Sequence, residues 1–90
     1  MQPTVTIYTK DYCPFCKAAK ALLSSKRVKF TNHEISDDPA KRREMIQKAN
    51  GRSTVPQIFI GDFHVGGYTD LEALHNAGGL APLLRTPQHA

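Results

Sequence analysis

Two cysteines, Cys13 and Cys16, stand three positions apart in the segment YCPFC, and the chain has no others. A pair at this spacing can bind a metal ion, form a structural disulfide, or make and break a disulfide during catalysis. Zinc requires four ligands, and none of the four histidines has the paired spacing that usually completes such a site. In a chain without a secretion signal, close cysteines are more often catalytic or metal-binding than structural. The pair therefore favours redox catalysis.

The residues around Cys13 predict a reactive thiolate. Pro14 suits the first position of a helix, because its missing N–H would have no partner there, so Cys13 is expected at a helix N-terminus. The unpaired N–H groups and the dipole of the helix favour the anion, and Lys10 and the thiol or N–H of Cys16 are candidates for further stabilisation. Cys16 lies one helical turn deeper. We expect Cys13 to attack a disulfide and Cys16 to resolve the mixed disulfide that results.

Four strands are predicted from β-branched content and hydrophobic alternation. They span residues 4–8, 28–35, 55–60 and 63–66. The last two strands are separated by a Gly-Asp pair, which is typical of a tight hairpin turn.

Three helices are predicted between and after these strands. The first begins directly after the first cysteine. The second begins after Asp38, which is placed to cap it, and ends at residues 50–51, an Asn-Gly pair. The third begins with Thr69 and Glu72 as a capping box and ends at the glycines at 78–79.

This order of elements predicts an α/β fold. A strand-helix-strand unit requires a right-handed crossover and a parallel pair, and the late hairpin adds an antiparallel pair, so a small four-stranded mixed sheet with helices on its faces is expected. Cys13 would then lie just past the carboxyl end of the first strand, where such sheets bind ligands. We expect residues 1–84 to form a single domain and residues 85–90 to form a flexible tail.

The formal net charge of +4 does not by itself indicate a nucleic acid partner, because the basic residues are scattered. The one basic cluster, AKRRE at 40–44, is interpreted as a solvated helix face. The N-terminal residues lack the pattern of a secretion signal, and no apolar run approaches the length of a membrane span. We therefore expect a cytoplasmic protein that contacts neither nucleic acid nor membrane.

Three segments together resemble the glutaredoxin family: YCPFC at 12–16, TVPQIFI at 54–60 and GGYTDL at 66–71. The resemblance extends from about residue 4 to residue 84, with the segments in the same order and at the same spacing. Within the family, the chain is most similar to the short bacterial dithiol members. It implies a thioredoxin-like fold and a glutathione-dependent thiol-disulfide oxidoreductase that reduces protein disulfides and glutathione mixed disulfides. Thioredoxin itself is a poorer match, because no Trp stands beside the first cysteine.

The resemblance also implies a glutathione site. Its residues are Lys10, Tyr12, Phe15, Arg43, Thr54, Val55, Pro56, Gly67, Thr69 and Asp70. Pro56 is expected to be cis, which would leave the backbone of Val55 free to pair with an extended peptide. Asp70 would meet the α-amino group of glutathione, while the helix start beside it binds the γ-glutamyl carboxylate. Lys10 and Arg43 would bind the glycine carboxylate, although a solvated helix residue explains Arg43 equally well.

The chain departs from the family pattern in two places: Phe15 replaces a frequent Tyr, and Tyr68 and Thr69 stand where relatives often have other residues, including a further cysteine. No tightly bound cofactor is expected, and glutathione is the reducing co-substrate. The expected partners are glutathionylated or disulfide-bearing proteins, ribonucleotide reductase among them, and the chain is expected to be a monomer. Two alternatives remain: an electron donor served by thioredoxin reductase, and an iron–sulfur cluster protein. Pro14 is less compatible with the cluster than a small flexible residue.

Overall fold

The structure, a computed structural model, describes residues 3–85. Within that range the chain forms four strands and four helices in the order β1, α1, β2, α2, β3, β4, α3, α4. The strands are β1 (Val5–Thr9), β2 (Thr31–Glu34), β3 (Gln57–Ile60) and β4 (Phe63–Gly66). The helices are α1 (Pro14–Ser25), α2 (Pro39–Lys48), α3 (Tyr68–Asn76) and α4 (Leu80–Arg85).

The strands form one mixed sheet in the order β2-β1-β3-β4. β1 is parallel to β2, and β3 is antiparallel to both β1 and β4. The parallel pair follows from the crossover through α1, and the β3–β4 hairpin turns at Gly61, where φ is +57°. The predicted four-stranded mixed sheet is therefore confirmed. None of the helices within residues 3–85 is both long enough and apolar enough to cross a bilayer.

Alternate residues of the central strands point to opposite faces of the sheet, and each face has its own core. One core joins α1, α3 and α4 to the sheet and contains Val5, Ile7, Ala19, Leu23, Val28, Ile58, Ile60, Leu71 and Leu80. The other core lies under α2 and contains Tyr8, Ile35, Met45, Ala49 and Phe59. Because β1 is central and buried, its carboxyl end is a fixed platform for the loop that leads to Cys13.

The second strand is shorter than predicted, because Val28 belongs to the C-terminal cap that follows α1. Arg27 has a φ of +58°, and the N–H of Val28 donates to the carbonyl of Leu23 at 3.1 Å. These bonds form a Schellman motif, in which an apolar residue after the helix packs back on its last turn. Val28 is buried for that reason, and β2 begins three residues later at Thr31. The predicted end of α2 at Asn50 and Gly51 has the same motif.

The third helix begins earlier than predicted. Gly67 is its N-cap, and the carboxylate of Asp70 accepts the Gly67 N–H at 2.9 Å. The expected pairing of Thr69 with Glu72 is therefore wrong, because Asp70 already occupies the position from which a side chain reaches back to the cap. Glu72 instead accepts a hydrogen bond from the hydroxyl of Tyr68 at 3.1 Å.

The fourth helix has no counterpart in the sequence-based prediction, so the expected number of three helices is wrong. Pro82 fits inside α4 because it stands in the first turn, where an N–H would have no partner within the helix. Leu80 is buried, and Leu83 and Leu84 pack against the core shared by α1 and α3. The predicted tail at 85–90 begins with the last residue of α4, and residues 86–90 lie outside the described range.

Candidate active site

Cys13 and Cys16 are joined by a disulfide at the start of α1, with their Cα atoms 5.1 Å apart. Cys13 is the N-cap of the helix and is partly exposed, whereas Cys16 is only 1% exposed. The structure thus confirms that the pair lies at a helix N-terminus just past β1. The difference in exposure means that an incoming thiol or disulfide reaches Cys13 before Cys16.

Two backbone groups contact the sulfur of Cys13. The N–H of Cys16 donates to Cys13 Sγ at 3.1 Å, which is one of the contacts expected to favour a thiolate. The carbonyl oxygen of Val55 lies 3.9 Å from the same sulfur, and because the disulfide carries no proton, this is a van der Waals contact. The peptide bond between Val55 and Pro56 is cis, as expected. This loop therefore lies directly against the redox pair.

A groove extends from this loop to the start of α3, and we call it the α3 groove. It is lined by Phe15, Arg52, Thr54, Val55, Pro56, Gly67, Tyr68, Thr69 and Asp70. Phe15 and Tyr68 stack across it, with ring centroids 6.1 Å apart and an interplanar angle of 27°. This stack links Phe15, one of the two residues between the cysteines, to the first turn of α3.

The charged end of the α3 groove is formed by Asp70 and Arg52. The two side chains form an ion pair at 3.4 Å, and both are about half exposed. The hydrogen bond from the Gly67 N–H and the neighbouring guanidinium of Arg52 lower the pKa of Asp70 from its ordinary value. Asp70 is therefore a carboxylate at neutral pH and is available to a cationic group of a ligand.

The loop that lines the α3 groove is supported by buried polar contacts. Gln57 is fully buried, and its Nε2 donates to Thr54 Oγ1 at 3.2 Å. Its Oε1 then faces His64 Nε2 at 2.7 Å, so His64 carries its proton on Nε2 and donates. Burial and the nearby charge of Arg52 lower the pKa of His64, while Asp70 opposes that effect. Thr54 is thus tied to β3 and β4 beneath it.

A second groove also reaches the redox pair and shares no residue with the first. It is lined by Thr9, Lys10, Asp11, Tyr12, Cys13, Cys16, Lys17, Lys20 and Glu34, and we call it the lysine groove. Tyr12 has a φ of +53° and a side chain that is 96% exposed. Cys13 lines this groove and its sulfur contacts Val55 of the α3 groove, so Cys13 lies between the two grooves.

Comparison with known proteins identifies the family. The family model for glutaredoxin matches residues 5–65. The chain is 59% identical to glutaredoxin 3 of Escherichia coli strain K12 over 81 residues, covering 90% of this chain and 96% of that protein. The chain belongs to the glutaredoxin family. Members of this family are thiol-disulfide oxidoreductases that use glutathione. The Cys13–Cys16 pair of this chain is consistent with a CxxC active site.

Solved glutaredoxin structures share the fold of this chain. The solution structure of glutaredoxin from Brucella melitensis superposes with a TM-score of 0.82 at 48% identity, covering 94% of this chain and 91% of that one. The crystal structure of the buckwheat glutaredoxin–glutathione complex gives a TM-score of 0.81 at 28% identity, covering 91% and 76% respectively. The predicted thioredoxin-like fold is confirmed by these matches.

Most residues suggested by the glutaredoxin motifs meet in the α3 groove. These are Phe15, Thr54, Val55, Pro56, Gly67, Thr69 and Asp70. Lys10 and Tyr12 line the lysine groove instead, on either side of Asp11. Arg43 is exposed on α2 and lines neither of these two grooves.

Two residues that line the α3 groove, Arg52 and Tyr68, are absent from the predicted glutathione site. Arg52 stands two positions before Thr54 and belongs to no motif, so only its contact with Asp70, 18 positions away, reveals it. Tyr68 lies inside the glutaredoxin segment GGYTDL, and its aromatic ring beside Gly67 is the available signal. Both residues shape the end of the groove that faces α3.

Proposed function

We propose that Cys13 is the nucleophile of this glutaredoxin and that glutathione is its reductant. The Cys13 thiolate attacks the glutathione sulfur of a glutathionylated protein, so a bond forms between Cys13 and glutathione while the protein thiolate leaves and takes up a proton. A second glutathione thiolate then attacks the bound glutathione sulfur and leaves with it as glutathione disulfide, which restores Cys13. This route does not use Cys16. One observation carries the proposal: Cys13 is a partly exposed N-cap residue, and its sulfur accepts a hydrogen bond from the Cys16 N–H.

Protein disulfides require both cysteines in this proposal. Cys13 forms a mixed disulfide with one substrate sulfur and releases the other as a thiol. The thiolate of Cys16 then attacks Cys13 Sγ, which releases the second substrate thiol and forms the Cys13–Cys16 disulfide. Two glutathione molecules reduce that disulfide. The short distance between the two Cα atoms, 5.1 Å, supports this exchange.

Glutathione is proposed to bind in the α3 groove. The first N–H groups of α3, near Gly67 and Thr69, suit the γ-glutamyl carboxylate, and Asp70 suits the α-amino group. The backbone of Val55 is proposed to pair with the cysteinyl residue of glutathione. The ring of Phe15 borders this site, as do Thr54 and Pro56. The similarity to the buckwheat glutaredoxin–glutathione complex supports this assignment.

The far end of glutathione carries the glycine carboxylate, which needs a cation. We propose that Lys10 supplies it, with Tyr12 covering the exposed side of the sulfur. Arg43, which lines neither groove, is the second cation proposed for the same carboxylate. A rise in the KM for glutathione in Lys10→Gln, with a smaller rise in Arg43→Gln, would support this order.

Substitution of each cysteine tests the assignment of roles. We expect Cys13→Ser to reduce glutathionylated peptides on the order of a thousandfold more slowly, because no other nucleophile reaches the substrate. We expect Cys16→Ser to retain this activity and to lose reduction of protein disulfides. The measurement is the rate of glutathione disulfide formation, coupled to glutathione reductase. Equal loss in both variants would contradict the assignment.

The reductant and the setting are part of the same proposal. With NADPH present, we expect glutathione plus glutathione reductase to regenerate the protein, and thioredoxin reductase alone to fail; the opposite result would favour the electron-donor alternative.

We propose a monomeric, cytoplasmic protein whose residues 1–84 form one domain. Its proposed partners are glutathionylated and disulfide-bearing proteins, ribonucleotide reductase included.

A further inference from the structure

The lysine groove has a charge pattern that the proposed glutathione site does not explain. Lys17 and Lys20 stand one turn apart on α1, so both side chains lie on the same side of the helix. Lys17 also lines a smaller depression with Tyr12, Cys13 and Pro14. Positively charged side chains therefore lie beside the sulfur of Cys13 on the side away from the α3 groove.

The lysines of this groove are not neutralised by the protein itself. Among residues 3–85, neither Lys10 nor Lys17 nor Lys20 forms an ion pair with a carboxylate. The two acidic residues of the groove, Asp11 and Glu34, accept hydrogen bonds from Ser36 at 2.8 Å and keep their charge. The lining of three lysines and two carboxylates is therefore positive on balance.

A substrate protein must lie outside the α3 groove at the moment of reaction. When Cys13 attacks a glutathionylated cysteine, the glutathione part occupies the α3 groove, and the protein part is on the other side of the breaking bond. The lysine groove shares no residue with the α3 groove and contains Cys13 itself. Because the glycine carboxylate of glutathione is proposed to reach Lys10 at one end of this groove, the part beside Lys17 and Lys20 is available to the residues that flank the substrate cysteine.

We propose that the lysine groove binds an acidic segment of the protein substrate, next to the cysteine that carries glutathione. Carboxylates of that segment pair with Lys17 and Lys20, which steers the encounter and increases the association rate. Tyr12, almost fully exposed at the edge of the groove, supplies the kind of aromatic contact that protein interfaces favour. This inference rests on the proposed function, because it concerns the substrate of the same sulfur.

Three glutathionylated peptides of equal length test the proposal. They differ only in the residues on both sides of the cysteine, which are Glu, Gln or Lys. We expect kcat/KM of the unmodified protein to decrease from the Glu peptide to the Gln peptide to the Lys peptide, by about tenfold in total at low salt. Since exposed ion pairs are screened, the preference should shrink as the ionic strength rises.

A double variant and a matched control locate the effect. In Lys17→Gln/Lys20→Gln, we expect the ratio of kcat/KM for the Glu peptide to that for the Gln peptide to fall about fivefold. In Lys26→Gln/Lys48→Gln, which removes the same charge from the far end of α1 and from α2, the ratio should be unchanged. A ratio is used because a change in the reactivity of Cys13 affects both peptides equally and cancels.

The outcomes separate this inference from the proposed function. Equal turnover of the three peptides by the unmodified protein would overturn the acidic docking surface and leave the glutathione-dependent activity intact. An equal fall of the ratio in both double variants would also overturn it, because net charge rather than the groove would then set the preference. Failure to turn over any of the peptides would contradict the proposed function itself.

Discussion

Gly66, directly before Gly67 of the α3 groove, has a backbone conformation that only glycine adopts readily. Its φ is +112°, in the left-handed region that disfavours residues with a side chain. A Cβ atom at this position would collide with the carboxylate of Asp70 and lie 2.9 Å from Nη1 of Arg52. The ion pair at the end of the groove therefore exists in this position because the backbone next to it has no side chain.

Gly66→Ala is predicted to cost more stability than a change of backbone conformation alone. Gly51→Ala is the matched control, since Gly51 has a φ of +97° but a Cβ atom added there would meet nothing within 4 Å. We expect Gly51→Ala to lower the free energy of unfolding by about 1–2 kcal/mol. We expect Gly66→Ala to lower it by about 1 kcal/mol more, because the Asp70 side chain must turn away and lose its hydrogen bond to the Gly67 N–H. Urea unfolding measures both values. Gly66→Ala should also raise the KM for glutathione, and equal effects of the two substitutions would contradict a steric conflict with Asp70.

At the level of elements, the sequence predicts helix ends wherever a motif uses its usual residues. The end of α2 is predictable because Asn and Gly are common in a left-handed cap, whereas Arg27 is not, so the strand after α1 begins later than predicted. α3 begins two residues earlier than predicted, because two overlapping capping patterns are present and only Asp70 reaches its partner. Tertiary packing of Leu80, not local preference, makes α4 a helix after a pair of glycines.

Gln57 joins three elements of the site and gives a prediction at this scale. Gln57→Leu removes the donor to Thr54 and the acceptor of His64, so it leaves a partly buried ring N–H without this partner. We expect the free energy of unfolding to fall by about 1–3 kcal/mol and the KM for glutathione to rise, since Thr54 loses its support. Both are measured on the purified variant by urea unfolding and by steady-state kinetics.

Gln47→Leu is the control for this prediction, because it makes the same change at an exposed position of α2. We expect it to alter the free energy of unfolding by less than about 0.5 kcal/mol and to leave the KM for glutathione unchanged. If the two variants behaved alike, the contacts of Gln57 would have no role in supporting the groove.

Across the whole molecule, the redox pair and the sheet are predictable from the sequence, but the surroundings of the sulfur are predictable only in part. Spacing and helix-start residues locate Cys13, because these are local properties of the chain. The contact between Arg52 and Asp70 and the division of the surface into two grooves depend on chain segments that meet only in three dimensions. Lys17 and Lys20 are close to Cys13 in the sequence, but that they share one groove with Lys10 and Glu34 becomes visible only with the fold.

The stability of the whole molecule is predicted to decrease on acidification in two steps. Burial lowers the pKa of His64 below its ordinary value of 6.5, so the unfolded state binds a proton first as the pH falls below that value. The contribution of neutral His64 to the free energy of unfolding is therefore fully present above pH 6.5, and it is lost as the pH falls through the lowered pKa of His64. Hydrogen bonds to Glu44 from Tyr8 and to Asp70 from Gly67 lower the pKa values of these carboxyl groups, which adds a second loss at more acidic pH.

Substitution of His64 should remove the first step and leave the second. We expect the free energy of unfolding of the unmodified protein to fall as the pH decreases from neutral through 6.5. We expect His64→Asn to be less stable at neutral pH but nearly independent of pH across this range. His75→Asn, on a partly exposed face of α3, should retain the full decrease. Urea unfolding at closely spaced pH values measures these slopes, and an undiminished slope in His64→Asn would assign the first step to a different group.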